Sequence, residues 1–350
     1  LEVPASAEIV LEGYIDPSEM RLEGPFGDHT GYYSQDGDYP IFHITAITHR
    51  KDPIYLTTIV GKPPQEDFYL GRATERIFLP LLRTQLPEII DMDMPVEGVF
   101  HNCVIVSIDK RFPMQSRRLM SALWGLGQMS FVKIIITVDL AVDVHNYKEI
   151  IKLLLKKINF KQDLFFSEGV LDVLNHASDH MLYGSKLGID LTKKVEGEPG
   201  FGESIQVKVN NFPTPSIEEV KFYFSELADC RFFNIDAHPT VLVVALNKTR
   251  ANQTKEFIET FFSESKFLWA NILIVLEGHV DIENDSMIMW KVFNNLDPKR
   301  DFYFKGDRLG VDATKKHKEE GYQQNWPEEI EMSEEIKTRV DSKWNSMFGK

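Results

Sequence analysis

Two carboxylates five positions apart, Glu23 and Asp28, lie in the segment Glu23-Gly24-Pro25-Phe26-Gly27-Asp28-His29-Thr30-Gly31-Tyr32. A pair of acids can move a proton when the environment keeps one of them protonated near neutral pH. Pro25 fixes its own φ and excludes a regular helix, while Gly24 and Gly27 permit unusual backbone angles and close approach. Such a loop can turn both carboxylates into one pocket. Phe26 can supply an apolar wall there, which would raise a neighbouring carboxyl pKa by desolvation. On spacing alone the segment also reads as a polar turn with two solvated acids, because Gly, Pro and Asp are ordinary turn residues.

The elements around this loop read as β. Strands are predicted over residues 7–14, 41–48 and 53–60, the last two joined through the turn His49-Arg50-Lys51-Asp52-Pro53. Gly61-Lys62-Pro63-Pro64 ends the region, giving a first segment of residues 1–68. The chain opens Leu1-Glu2-Val3-Pro4-Ala5 and runs almost at once into a strand pattern. It therefore reads as a fragment of a longer polypeptide, with a trimmed chain as the alternative. Residues 69–99 form a connector, helical over 67–85.

From residue 100 apolar runs alternate with amphipathic stretches, the α/β pattern. Val104-Ile105-Val106-Ser107-Ile108 and Lys133-Ile134-Ile135-Ile136-Thr137-Val138-Asp139 read as strands, Gln115–Trp124 and Tyr147–Lys157 as helices. The unit then recurs. Residues 100–150 align without gaps on residues 238–288. The first copy ends Gly184-Ser185-Lys186-Leu187-Gly188-Ile189-Asp190-Leu191-Thr192-Lys193-Lys194, the second Gly306-Asp307-Arg308-Leu309-Gly310-Val311-Asp312-Ala313-Thr314-Lys315-Lys316. The first carries about 16 extra residues before this signature. The expected fold class is α/β (α+β overall): a β-rich segment, α/β copies over 100–204 and 205–330 with mostly parallel sheets, and a C-terminal helix over 331–350. Ser333 suits the N-cap of that helix, and Ile336, Val340, Trp344 and Met347 recur at helical spacing. The helix reads as docked on its own domain, with a neighbouring subunit as the alternative.

A net charge of −14 argues against a surface for nucleic-acid phosphates. Two distant cysteines, Cys103 and Cys230, make neither a disulfide framework nor a metal motif, and imply a reducing compartment, the cytoplasm. The longest apolar run, Ile272-Leu273-Ile274-Val275-Leu276, is a buried strand rather than a membrane span. Gly125-Leu126-Gly127 lacks the third glycine of a dinucleotide fingerprint. His176 and His180, one helical turn apart, could pair on a metal, but solvent-facing histidines are the expectation. His29, His43 and His49 take no role, and Glu328-Glu329-Ile330-Glu331 reads as a solvated face.

The motif Glu23-Gly24-Pro25-Phe26-Gly27-Asp28 resembles the active-site motif of the UbiD family of decarboxylases, the 3-polyprenyl-4-hydroxybenzoate carboxy-lyase-like enzymes. Val3-Pro4-Ala5, Thr48-His49-Arg50-Lys51-Asp52-Pro53-Ile54-Tyr55, Gly61-Lys62-Pro63-Pro64, Glu97-Gly98, the two signatures and Trp326-Pro327 extend the likeness over most of the chain. The resemblance implies non-oxidative decarboxylation of an aromatic or α,β-unsaturated acid, in quinone (ubiquinone or menaquinone) biosynthesis. It implies prenylated FMN as cofactor, with manganese and potassium at its phosphate. By the same resemblance residues 1–68 are the remnant of a split-barrel flavin-binding domain. Glu23 is the glutamate of the proton network, Asp28 the acid that delivers the proton, and Lys133 a lysine near the cofactor phosphate. The second copy has Asn271 at the position of Lys133, and Lys133 also reads as a residue that only opens a strand. The family's metal ligands and network arginine lie upstream of its motif, so this chain holds half a site and should be inactive alone. The implied partners are the aromatic acid, a flavin prenyltransferase as cofactor supplier, further copies of the chain, and a membrane surface where the substrate is lipophilic. The alternative is a non-catalytic α/β oligomerisation module.

Overall fold

The structure is a computed structural model that describes residues 2–203, 215–235 and 238–349. The chain divides into two compact units, Leu1–Asp67 together with Pro327–Lys350, and Phe68–Trp326. The expected boundary between the α/β copies, at 204/205, lies outside the described residues.

The first unit is a hairpin with a returning tail. Strand β1 (Ile9–Glu23) pairs antiparallel with β2 (Gly37–His49), from Ile9 opposite His49 to Glu23 opposite Gly37. β1 runs nine residues past its expected end. Asp16-Pro17-Ser18 has turn chemistry, but it is absorbed as an irregularity between Ile15 and Met20, where Asp16 Oδ1 accepts from Ser18 N at 2.9 Å and Ser18 Oγ at 2.6 Å. The predicted strand over 53–60 does not form. Its β-branched and aromatic content favours extension, but a ladder needs a partner, and Ile54, Tyr55, Leu56 and Ile59 stand exposed. The described residues show a two-stranded sheet with no barrel closure.

The second unit opens with α1 (Glu66–Gln85) and β3 (Ile89–Asp93), so the connector also donates an edge strand. There follow β4 (Cys103–Ile108), α2 (Gln115–Trp124), β5 (Ile134–Asp139), α3 (Tyr147–Lys157), β6 (Leu164–Val170) and β7 (Tyr183–Asp190). The chain continues through α4 (Ile217–Tyr223), β8 (Leu227–Ile235), β9 (His238–Leu246), α5 (Gln253–Ser263), β10 (Ile272–Glu277), α6 (Asp285–Asn295), α7 (Pro298–Asp301), β11 (Phe302–Lys305) and β12 (Arg308–Asp312). The two sheets run β3-β4-β5-β7-β6 and β8-β9-β10-β12-β11. In each, three parallel strands are flanked by an antiparallel strand on both edges, so the sheets are mixed rather than mostly parallel. The extra residues of the first sheet lie between β6 and β7, where the second has only Gly306 and Asp307. Apolar faces of α2 and α5 cover one side of each sheet. A core shared by both sheets joins Ile134, Ile136, Leu187 and Ile189 to Phe293, Leu296, Leu309 and Val311, with α3 and α6 contributing.

The two signatures perform the same task in each sheet. Thr192 donates to Asp190 Oδ1 at 2.5 Å, and Thr314 to Asp312 Oδ1 at 2.6 Å. Lys194 bridges Asp163 (2.7 Å) and Asp190 (3.1 Å), as Lys316 bridges Asp301 (3.5 Å) and Asp312 (3.1 Å). Lys110 reaches Glu198 at 2.6 Å and Thr192 at 3.0 Å, as Lys248 reaches Glu320 at 2.9 Å and Thr314 at 3.2 Å. Burial pushes the Asp190 and Asp312 carboxyls up, but these lysines and threonines outweigh it and hold both below the usual range.

In the first unit, the tail ends in α8 (Glu334–Phe348), capped by Ser333 Oγ, which accepts from Ile336 N at 3.3 Å. Ile336, Val340 and Trp344 are exposed rather than docked on their own domain, and the side chain of Met347 lies outside the described set.

Removing one cation of a buried pair strands the carboxylates it served. Lys316→Met should therefore lower stability by about 3–5 kcal/mol in urea unfolding. Lys194→Met should cost less, because the Lys194 side chain is 18% exposed against 2% for Lys316. Equal midpoints for wild type and both variants would show that these ties do not hold the sheets.

Candidate active site

The motif sits at the closed end of the β1–β2 hairpin. Glu23 is the last residue of β1, exposed, and faces Gly37 across the neck. Beyond the neck Gly24 adopts φ +90, a left-handed angle that favours glycine. The loop then folds back as a smaller hairpin. Ser34 N donates to Phe26 O at 2.8 Å, Phe26 N to Ser34 Oγ at 3.1 Å, and Asp28 N to Tyr32 O at 3.2 Å. Asp28-His29-Thr30-Gly31 makes the tip, with Gly31 N donating to Asp28 O at 3.3 Å and Gly31 at φ +88.

Asp28 is 7% exposed. Its Oδ1 accepts from Thr30 N at 2.6 Å and from the Thr30 hydroxyl, an Asx turn that fixes the rotamer. Both acids therefore belong to one hairpin end, Asp28 enclosed and Glu23 open. The aromatic wall differs from expectation. Phe26 is 49% exposed, whereas Tyr32 is 1% exposed and its carbonyl holds the Asp28 amide. The acidic run is solvated only in part: Glu328 and Glu331 are exposed, as expected, but its backbone and Glu329 are engaged. Tyr33 N donates to Glu328 O and Ile330 N to Gly31 O, both at 2.9 Å, and Lys62 Nζ lies 2.6 Å from Glu329. The partner residues lie too far apart in sequence for any spacing pattern to have revealed this.

Lys133 lies in the other unit, at the start of β5, where its amide donates to His101 O at 2.8 Å. It is 1% exposed, and its Nζ has no hydrogen-bond partner among the described residues. Burial lowers its pKa to about 7, with Asp297 and Asp301 acting the other way. The histidine pair separates. His176 is buried rather than solvent-facing, its Nε2 3.1 Å from Asn295 Oδ1 and its ring edge-on to Trp326 at 4.8 Å. Burial pushes its pKa down to about 3. His180 is exposed and stacks on Tyr183. Among the described residues no group of three His, Cys, Asp or Glu side chains could hold a metal. His43 pairs with Glu19 at 2.6 Å, and His49 Nδ1 lies 2.6 Å from Arg50 O.

A buried lysine whose folded pKa falls below its unfolded value destabilises the fold while both states are charged. The penalty is full below pH about 7 and fades as pH rises toward the ordinary lysine value of about 10.4. Lys133→Met should therefore raise the unfolding midpoint at pH 7, by roughly 1.4 kcal/mol for each unit of displaced pKa. The gain should shrink steadily between pH 7 and 10. Unfolding curves at several pH values would show this, and a variant less stable at pH 7 would mean the amine has a stabilising partner.

The chain matches two family models. Residues 68–191 and 215–322 match the 3-octaprenyl-4-hydroxybenzoate carboxy-lyase C-terminal domain, and residues 1–63 match the Rift-related domain of the same carboxy-lyase. An uncharacterized protein of Archaeoglobus fulgidus is 52% identical over 199 residues, 57% of this chain and 41% of that protein. One of Helicobacter pylori is 36% identical over 347 residues, 96% of this chain and 53% of that protein. The chain thus spans about half the length of these curated relatives. Among solved structures, the closed form of Sedimentibacter hydroxybenzoicus vanillic acid decarboxylase superposes with a TM-score of 0.54 at 27% identity, covering 64% of this chain and 46% of that one. With both segments of its described fold matched, and with the glutamate and aspartate of the motif at one hairpin end, the chain belongs to the UbiD family of carboxy-lyases.

Proposed function

We propose that the full-length protein decarboxylates an aromatic or α,β-unsaturated acid without net oxidation, and that Asp28 delivers the proton replacing the lost carboxylate. One observation carries this reading: the motif aspartate alone among the loop's acids is enclosed, with its rotamer fixed by Thr30, while Glu23 stays open five positions away. Loss of CO2 leaves an electron pair on the product carbon, and a proton must reach that carbon. Asp28, once protonated, gives its proton there, and Glu23 at the open neck takes up its replacement from water. The burial of Asp28, 7% exposed, limits competing proton exchange.

Prenylated FMN is the proposed cofactor, and its chemistry when bound is to accept the electron pair freed as CO2 departs. The Lys133 amine, which has no hydrogen-bond partner among the described residues, is the feature of this chain that fits a phosphate, since an anion would supply acceptors to a buried cation that Asp297 and Asp301 only partly offset. Manganese and potassium belong, on this proposal, to residues outside the chain. The description of the matched family supports a polyprenylated hydroxybenzoate, a quinone precursor, as the substrate class, and the vanillic acid decarboxylase supports an aromatic acid more broadly. We place the protein in the cytoplasm as a homo-oligomer supplied by a flavin prenyltransferase, with membrane contact where the substrate is lipophilic. The two α/β sheets, alike in strand order and ties, are proposed to be a duplication. A second reading, an assembly module without catalysis, draws on the exposed stripe of Ile336, Val340 and Trp344.

The test is CO2 release by the full-length protein reconstituted with prenylated FMN. Asp28→Asn should lower turnover at least about 100-fold, the scale of a lost general acid, while flavin binding persists. Unchanged turnover would make the motif structural and leave the assembly reading in first place.

A further inference from the structure

We infer that Glu328-Glu329-Ile330-Glu331 is a positioning strap for Asp28, latched by the ion pair between Lys62 and Glu329. The inference rests on the reading of Asp28 as the proton-delivering acid. The strap itself, residues 328–331, lies beyond both matched ranges, which end at 63 and 322, while Lys62 and the loop it holds lie within the first.

The tip that carries Asp28 crowns a two-stranded hairpin, and two strands alone are marginally stable in water. The strap supplies what the hairpin lacks. It runs antiparallel to Gly31-Tyr32-Tyr33, with Tyr32 bridged to Glu329 and two backbone hydrogen bonds of 2.9 Å on either side. These bonds grip the arm of the tip opposite Asp28, and Asp28 N in turn holds Tyr32 O at 3.2 Å. From the other side Ile330 packs on Gly27, where an added Cβ would lie 3.0 Å from Ile330 Cδ1. The residue before Asp28 and the residues after it are thus both held by one short segment.

The latch lies at the end of the strap. Lys62 Nζ is 2.6 Å from Glu329 and 3.1 Å from Glu331, with the Lys62 side chain 26% exposed and that of Glu329 15%. Partial burial works against the Lys62 charge, but the two glutamates outweigh it and raise its pKa. Two glutamates of the acidic run therefore meet Lys62, placed just past the β region, and the pair with Glu329 fixes where the strap lies along the loop. A displacement of about 1 Å at a proton donor can reduce turnover by roughly a hundredfold, so a loosened latch should be legible in kcat.

The experiment uses the full-length flavin-loaded enzyme and measures CO2 release for Lys62→Met, Glu329→Gln and Lys62→Arg beside Asp28→Asn. The strap predicts a fall in kcat of about tenfold for Lys62→Met and Glu329→Gln. KM, flavin affinity and thermal midpoint should stay near wild type, and Lys62→Arg, which keeps the charge, should recover most of the turnover. Wild-type kcat in both latch variants would overturn the inference, as would a fall in kcat matched by lost flavin affinity and a lowered midpoint. If Asp28→Asn retains turnover, the reading of Asp28 itself fails. If Asp28→Asn is inactive while the latch variants are fully active, only the strap fails.

Discussion

A carboxylate withdrawn from water must find cations or donors, and this requirement shapes both α/β sheets. Asp190 and Asp312 sit at the ends of central parallel strands, 6% and 2% exposed. Each has a lysine four residues on, a threonine two residues on, and a second lysine reaching across from the loop after the next strand but one. The signature that stands out most in the sequence is therefore a device for tolerating a buried charge, and its repetition says more about folding than about catalysis. Lys133 breaks the pattern: equally enclosed, it has an amine that no hydrogen-bonding group among the described residues meets. Stability alone does not account for such a residue, which is why it draws attention as a functional group.

How much of this the sequence disclosed depends on the range of the interaction. Helices α2 and α3 were readable to the residue, because Leu119, Met120 and Leu123, and likewise Ile150, Leu153 and Leu154, recur at the spacing of one helical face. Ladders were harder. Residues 53–60 have strand propensity without a strand beside them, and β1 continues through Asp16-Pro17-Ser18 because pairing with β2 overrides local turn chemistry. Long-range contacts were invisible. His176 meets Asn295 across 119 residues, and Lys62 meets Glu331 across 269, so a histidine that reads as solvent-facing is buried, and an acidic run with exposed carboxylates also makes a long-range ion pair.

The site was legible in its chemistry and not in its setting. The acids, glycines and proline located the loop, but its buried aromatic is Tyr32, whose carbonyl holds the Asp28 amide, rather than Phe26. Glycine and proline announce that a chain bends without saying which side chains the bend turns inward, and here the answer depends on a segment from the far end of the sequence. Two surfaces of the first unit, the hairpin faces bearing Leu11, Ile15, Ile44 and Ile47 and the stripe of α8, remain apolar and open.

The strap also sets a schedule. Chains emerge from the ribosome at about 5–20 residues per second and fold largely from the N-terminus as they appear. The hairpin with Glu23 and Asp28 is made before the segment that bridges it at Glu329, which arrives only after the whole of Phe68–Trp326 has been synthesised. A nascent chain therefore carries this loop unfinished until Glu328–Glu331 has been synthesised, and a product truncated before Glu328 would keep the motif without the grip on it. Late closure of this kind would tie the proposed proton delivery to synthesis of the strap.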